Sequence, residues 1–154
     1  MPGMTVKDYP DAELVDQPIG YWSGAAGKAI VRHVRVALAK EQLTLPQWLV
    51  LSYAARFPGT WTRATLAERV GLYCDPGTAF GPLFAELFSR GWLDESDGIL
   101  TLTVAGEAGL ERARRRMARA NARIRAGISA EEYLTTLDVL RRMIDNVGGD
   151  SDLP

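Results

Sequence analysis

The stretch Trp61-Thr62-Arg63-Ala64-Thr65-Leu66-Ala67-Glu68-Arg69-Val70-Gly71 decides the fold, together with Arg90-Gly91-Trp92-Leu93 and Ile99-Leu100-Thr101-Leu102-Thr103 downstream. Thr62 is a natural N-cap, because its hydroxyl can accept from the free N–H groups of a first helical turn. Trp61 before it is placed to staple onto Leu66. A second helix follows a loop and ends at Arg90-Gly91-Trp92-Leu93. Pro82 is tolerable only in a first turn, which sets the start of that helix near Phe80. A short polar turn from Asp94 to Gly98 then leads into the strand Ile99–Thr103. Helix, turn, helix and hairpin in this order is the plan of a winged helix-turn-helix, a device that puts a helix into the major groove of DNA.

The flanking sequence carries equally local signals. Thr44 with Gln47 fits a capping box, Leu43 can staple onto Trp48, and the helix they start should stop after Arg56 at Phe57-Pro58-Gly59. Ser129 with Glu132 is a second box, with Ile128 and Tyr133 as its staple. Upstream, a long helix is expected over 19–40, with Trp22, Ala26, Ile30, His33 and Ala37 on one face by three-four spacing. Downstream, a helix over about 104–126 carries Arg112, Arg114, Arg115, Arg116, Arg119, Arg123 and Arg125. Its few large apolar residues, Leu110, Met117 and Ile124, are spaced by seven, which suits a narrow seam. The last helix shows Tyr133, Leu137, Leu140, Ile144 and Val147 as one stripe, and a single stripe on a terminal helix needs a covering surface. The expected class is therefore mainly α with a small β-hairpin wing: a winged helix-turn-helix lobe plus a helical dimerisation region. The divisions are an arm at 1–17, dimerisation helices at 18–43 and 104–147, the lobe at 44–103, and a tail at 148–154.

Bulk properties narrow the function. The chain has 154 residues, a net charge of −1 and one cysteine, Cys74. A single thiol excludes an intrachain disulfide and fits a cytoplasmic location. No basic leader precedes an apolar run, and no apolar run nears the roughly 18 residues of a membrane span. Between residues 61 and 100 the bases are Arg63, Arg69 and Arg90, against Glu68, Asp75, Glu86, Asp94, Glu95 and Asp97. The lobe that should meet DNA thus carries −3, and any basic patch must lie elsewhere. No nucleotide loop, nucleophile elbow or metalloprotease helix is present. One histidine and one cysteine far apart make a poor metal set, so no metal and no cofactor are expected.

Leu45-Pro46-Gln47-Trp48-Leu49-Val50-Leu51, Thr65-Leu66-Ala67-Glu68-Arg69-Val70-Gly71, Leu87-Phe88-Ser89-Arg90-Gly91-Trp92-Leu93, Leu102-Thr103-Val104-Ala105-Gly106 and Leu140-Arg141-Arg142-Met143-Ile144 occur in an order and spacing similar to the MarR family of bacterial transcriptional regulators. The resemblance covers about residues 19–147. It implies a homodimer with interdigitating terminal helices, a winged lobe on each side, and a ligand pocket between the two parts. On that basis Thr62, Arg63, Thr65, Thr78, Arg90 and Arg112 are the expected contacts to double-stranded DNA. Tyr21, Trp22, His33 and Trp48 are the expected contacts to a small aromatic or amphipathic ligand. None of these residues is expected to be catalytic.

Two departures favour an alternative. The family's wing sends an arginine into the minor groove, but Asp94-Glu95-Ser96-Asp97-Gly98 is acidic and has no arginine, and carboxylates are repelled by phosphates. The segment Asp75 to Glu86 offers Thr78 and little else to read base edges, where Arg, Lys, Asn or Gln usually act. The alternative keeps the fold but loses DNA binding, leaving a small-molecule binder or an enzyme that uses His33 or a tyrosine as acid-base. A third reading makes Phe80, Phe84 and Phe88 a docking stripe for a partner helix, against the simpler role of lobe core. Cys74 has an acidic neighbour in Asp75 and reads as an inert thiol.

Overall fold

A computed structural model describes residues 6–152. The elements are α1 (Asp11–Leu14), α2 (Ile19–Ala39), α3 (Leu45–Arg56), α4 (Arg63–Gly71), α5 (Phe80–Ser89), β1 (Leu93–Ser96), β2 (Ile99–Leu102), α6 (Val104–Ile124) and α7 (Ala130–Asn146). The mainly helical fold with one hairpin is the one read from the sequence. Of the arm expected at 1–17, residues 1–5 lie outside the described residues, and of the tail expected at 148–154, residues 153 and 154 do. Within the described part of the arm, α1 is a single turn.

Helices α3, α4, α6 and α7 start at side-chain caps. The Thr44 hydroxyl accepts from Gln47 N–H while the Gln47 side chain accepts from Thr44 N–H. Ser129 and Glu132 close the same reciprocal pair at α7. At α4 the box closes through Thr65 rather than an acid or amide, since the Thr65 hydroxyl accepts from Thr62 N–H at 3.0 Å. Thr103 caps α6 by accepting from Gly106 N–H, and its hydroxyl donates to the Gly91 carbonyl, tying the end of the wing to the end of α5.

The lobe closes its own core. Val50, Leu51, Leu66, Val70, Leu87, Leu93 and Leu100 are buried together, with Leu38 from α2 and Leu110 from α6 completing the cluster. The hairpin pairs Leu93 with Leu102 and Ser96 with Ile99, so only Asp97 and Gly98 make the turn. Both have positive φ, 51° and 78°, as a two-residue turn matched to strand twist requires. The expected polar turn at 94–98 is therefore mostly strand: Asp94, Glu95 and Ser96 are paired β residues. Leu100 N–H also donates to the Trp61 carbonyl at 2.8 Å, which anchors the wing to the entry of α4.

Helices α2 and α6 pack against each other beside the lobe. The start of α6 lies against the lobe through small residues. Gly106 and Gly109 lie so close to Trp92 that a Cβ at either would overlap its backbone carbonyl or its indole. The expected seam of α6 is graded: Leu110 is fully buried, whereas Met117 and Ile124 are half-buried. On α2 the residues buried within the chain are Val34 and Leu38, while Trp22, Ala26 and Ile30 of the expected stripe are exposed. Helix α7 buries no residue.

Candidate DNA interface and ligand cleft

The residues expected at DNA fall into three settings. Thr62, Arg63 and Thr65 stand together at the start of α4. Both threonine hydroxyls are engaged in the capping box. Arg63 makes a two-point ion pair with Glu95 of β1, at 2.8 and 3.3 Å, and its guanidinium lies 4.6 Å from the Phe88 ring centre. The acidic wing is thus held down onto α4 by the arginine that sequence reasoning assigned to phosphate. Thr78 precedes α5 and donates its hydroxyl to the Asp75 carbonyl at 2.7 Å. The exposed face of α5 consists of Gly81, Pro82, Ala85, Glu86 and Ser89.

Arg90 and Arg112 form the third setting, around the end of α2. Arg90 donates to the Gln42 and Glu41 carbonyls at 2.8 and 3.2 Å, satisfying carbonyls at that helix end, and stacks 4.0 Å above the Trp92 ring. Arg112 pairs with Glu41 at 3.2 Å, and Arg116 pairs with the other oxygen of the same carboxylate. The Glu41 side chain is only 12% exposed. The Arg116 hydrogen bond, opposed by burial and helped by Arg112, holds its pKa below the ordinary carboxylate value. Glu41 therefore joins α2 to α6 at the point where both meet the lobe. No local pattern marks it, because its partners lie 71 and 75 residues away.

The residues expected at a ligand do not converge in one chain. Tyr21 and Trp22 form an edge-on pair at 5.3 Å near the start of α2, and both are exposed. His33 lies about 16 Å further along the same helix at about 1.5 Å per residue. Trp48 is half-buried against the lobe core. What the fold does build between α2 and the lobe is a pair of adjoining cavities, of about 620 and 710 Å³. Arg35, Ala39 and Asp75 line both. Arg35 of α2 reaches Asp75, in the turn before α5, at 3.1 Å. The larger cavity continues along Gly24, Gly27 and Lys28; the other along Pro46, Thr78 and Leu83. Sequence reasoning missed Arg35, whose partner is forty positions away.

The phenylalanines resolve into core. Phe84 is 2% exposed, and Phe80 and Phe88 are half-buried against the same cluster. A free docking stripe is not left. Cys74 is half-buried, and burial followed by the Asp75 charge pushes its thiol pKa up, away from a reactive thiolate. No helix among the described residues is long and apolar enough to cross a membrane.

No family model matches the chain, and no curated protein matches it in sequence. Solved structures do match. The PcaV transcriptional regulator from Streptomyces coelicolor is 28% identical, with 85% of this chain and 98% of that one covered at a TM-score of 0.69. The MarR family protein Rv2887 of Mycobacterium tuberculosis, in complex with DNA, is 28% identical over 87% of this chain and 100% of its own, with a TM-score of 0.66. The same protein in complex with salicylic acid aligns over 86% of this chain and 100% of its own, at 28% identity and a TM-score of 0.60.

Proposed function

We propose that the chain is a winged-helix protein of the MarR type that acts in the cytoplasm as a homodimeric, ligand-responsive transcriptional regulator binding double-stranded DNA. One observation carries the reading: 85 to 87% of the chain aligns with nearly the whole length of solved regulators of this type, one of them in complex with DNA. The alternative of a fold that has lost DNA binding has no comparable support.

The surface chemistry specifies how such binding would work here. The exposed face of α5 carries no Arg, Lys, Asn or Gln. Direct base contacts reduce to Glu86, which can accept from a cytosine amino group, with Ser89 and Thr78 as adaptable hydroxyls. Most of the affinity then comes from backbone positioning and DNA shape rather than from base edges. Thr62, Arg63 and Thr65 at the start of α4 supply phosphate contacts. Arg90 and Arg112 contribute their field while remaining in their structural pairs. The wing, clamped by Arg63 to Glu95, takes no part in minor-groove insertion.

The effector is a small aromatic or amphipathic molecule held in the paired cavities at Arg35. An anionic group there competes with Asp75 for the Arg35 guanidinium, and Asp75 is three residues ahead of Thr78 at the entry to α5. Occupation of the cleft therefore alters how α5 is held against α2. Tyr21, Trp22, His33 and Trp48 do not line these cavities; Tyr21 and Trp22 stand exposed on α2, open to a second copy.

The test is binding of the purified dimer to DNA from its own upstream region, titrated across salt. A specific complex that weakens steeply with salt is expected, because phosphate contacts release counterions. A folded dimer that binds no DNA at low salt overturns the regulator reading. Salicylate serves as the first effector probe, expected to lower DNA affinity in the native protein and not in Arg35→Ala.

A further inference from the structure

Beside the Arg35 cleft, α2 and α6 line another concavity of about 410 Å³. Glu41 pairs with Arg112 and Arg116, so the end of α2 lies beside the middle of α6. His33, Val36, Ala37 and Lys40 line the groove from α2 at spacings of three, one and three. Arg116, Arg119, Ala120 and Arg123 line it from α6 with the same spacing. Both sets are therefore single helical faces turned toward one space.

The charge in this groove is one-sided. Its lining holds one lysine, three arginines and the only histidine of the chain, and no carboxylate. Glu41 at its end is committed to Arg112 and Arg116. Among the described residues, Lys40, Arg119 and Arg123 take part in no ion pair. By contrast, Arg114 and Arg115 on another face of α6 both meet Glu111. The floor is short and apolar, at Val36, Ala37 and Ala120, and lets the long cationic side chains close over a guest. Like charges gathered along a concave wall raise the local concentration of an oppositely charged small molecule.

From this convergence we infer that the α2–α6 groove is an anion site, for a small molecule carrying two or more phosphate or carboxylate groups. Arg119 and Arg123 grip one charged end by charge-assisted, two-point hydrogen bonds. Lys40 takes the other, and His33 adds a ring nitrogen at the groove's far end, while Arg116 stays with Glu41 and contributes only its field. The groove adjoins the larger Arg35 cavity, sharing Val36 with it, but its cationic residues Lys40, Arg119 and Arg123 line neither Arg35 cavity.

Calorimetric titration of the full-length protein in its native oligomeric state tests this, with pyrophosphate and with citrate as probes. Sodium chloride at matched ionic strength is the reference, because exposed charges are screened by salt. Saturable binding of at least one probe, one per chain, is expected. The double substitution Arg119→Ala/Arg123→Ala should weaken it by at least about tenfold, the size of one lost charged hydrogen bond. Among the described residues neither side chain has a hydrogen-bond or ion-pair partner, so the unliganded melting temperature should stay unchanged. The control Arg114→Ala/Arg115→Ala should leave binding intact. Preference for pyrophosphate assigns the groove to phosphate esters, and preference for citrate assigns it to polycarboxylates. Absence of saturable binding by either probe overturns the inference, as does equal loss in both double variants.

Discussion

In the winged lobe Leu51, Leu66, Leu87 and Leu100 are all 1% exposed or less, covered by residues of the same chain. In α7 no residue is buried; Leu134, Leu137 and Ile144 are 65, 41 and 40% exposed, and Val147 just after the helix is 84% exposed. The two regions look alike as sequence: each shows apolar residues at helical spacing behind a well-formed cap. They differ in what lies opposite. The lobe stacks α3, α4, α5 and the hairpin around one centre, so every stripe finds a partner. Helix α7 shares an open apolar concavity with Ile19 and Ser23 at the start of α2. An amphipathic stripe measures what a helix needs to cover, and only the other elements decide whether the same chain supplies it. The uncovered stripe of α7, together with the exposed Trp22–Ile30 face of α2, is the surface we propose for the second copy.

That contrast can be broken from the lobe side first. Leu66→Ala removes a fully buried side chain and should destabilise the protein by about 2–5 kcal/mol, measured by urea unfolding. An effect below about 1 kcal/mol would mean that the lobe core is looser than the packing implies. Gly106→Ala should cost about 1–3 kcal/mol or more, because its Cβ meets the backbone of Trp92 rather than a movable side chain. Thermal melting should show this drop while the matching change at the unconfined Gly81 does not.

From the α7 side the readout is assembly. Leu137→Glu should leave the lobe folded by circular dichroism and shift the protein from dimer to monomer in sedimentation. A variant that stays dimeric would remove α7 from the interface. The junction between the regions responds to pH. Glu41 has its carboxyl pKa lowered on folding, so its contribution is complete above the ordinary carboxylate pKa and is lost as pH falls through the lower folded value. Glu41→Gln should flatten the acid limb of the stability curve and cost about 1–2 kcal/mol at neutral pH, as expected for lost hydrogen bonds to charged groups. The smallest expected effect is at the wing. Glu95→Gln removes a carboxylate near the proposed DNA surface and loosens Arg63, and should raise DNA affinity a few-fold at low salt. Unchanged affinity would place the wing away from the phosphates.

The DNA-side expectations show where sequence reading loses resolution. Thr62 and Thr65 were legible as the opening of α4, and their proximity to Arg63 follows from adjacency. That Arg63 grips Glu95, and that Arg90 and Arg112 gather around the end of α2, were not legible, because these pairings join segments separated by 32 residues or more. The wing was read as an acidic turn of five residues. It is a two-residue turn between paired strands, since hydrogen-bond register rather than polarity sets where a strand ends. On the ligand side, Tyr21, Trp22 and His33 share a helix but stand too far apart to meet in one chain, whereas Arg35, absent from that reading, faces the cleft.

Sequence alone determined the elements whose causes are local: the caps at Thr44, Thr62 and Ser129, the helix stop before Phe57-Pro58-Gly59, the start of α5 forced by Pro82, and the winged order of helices and hairpin. Each rests on interactions within about four residues, and those are written in the order of the chain. Tertiary structure decided which arginines are spent on Glu41 and Glu95, which remain free along α2 and α6, and which apolar stripes are covered. Those outcomes depend on long-range contacts, and side chains distant in the chain compete for the same partners only once the helices have packed.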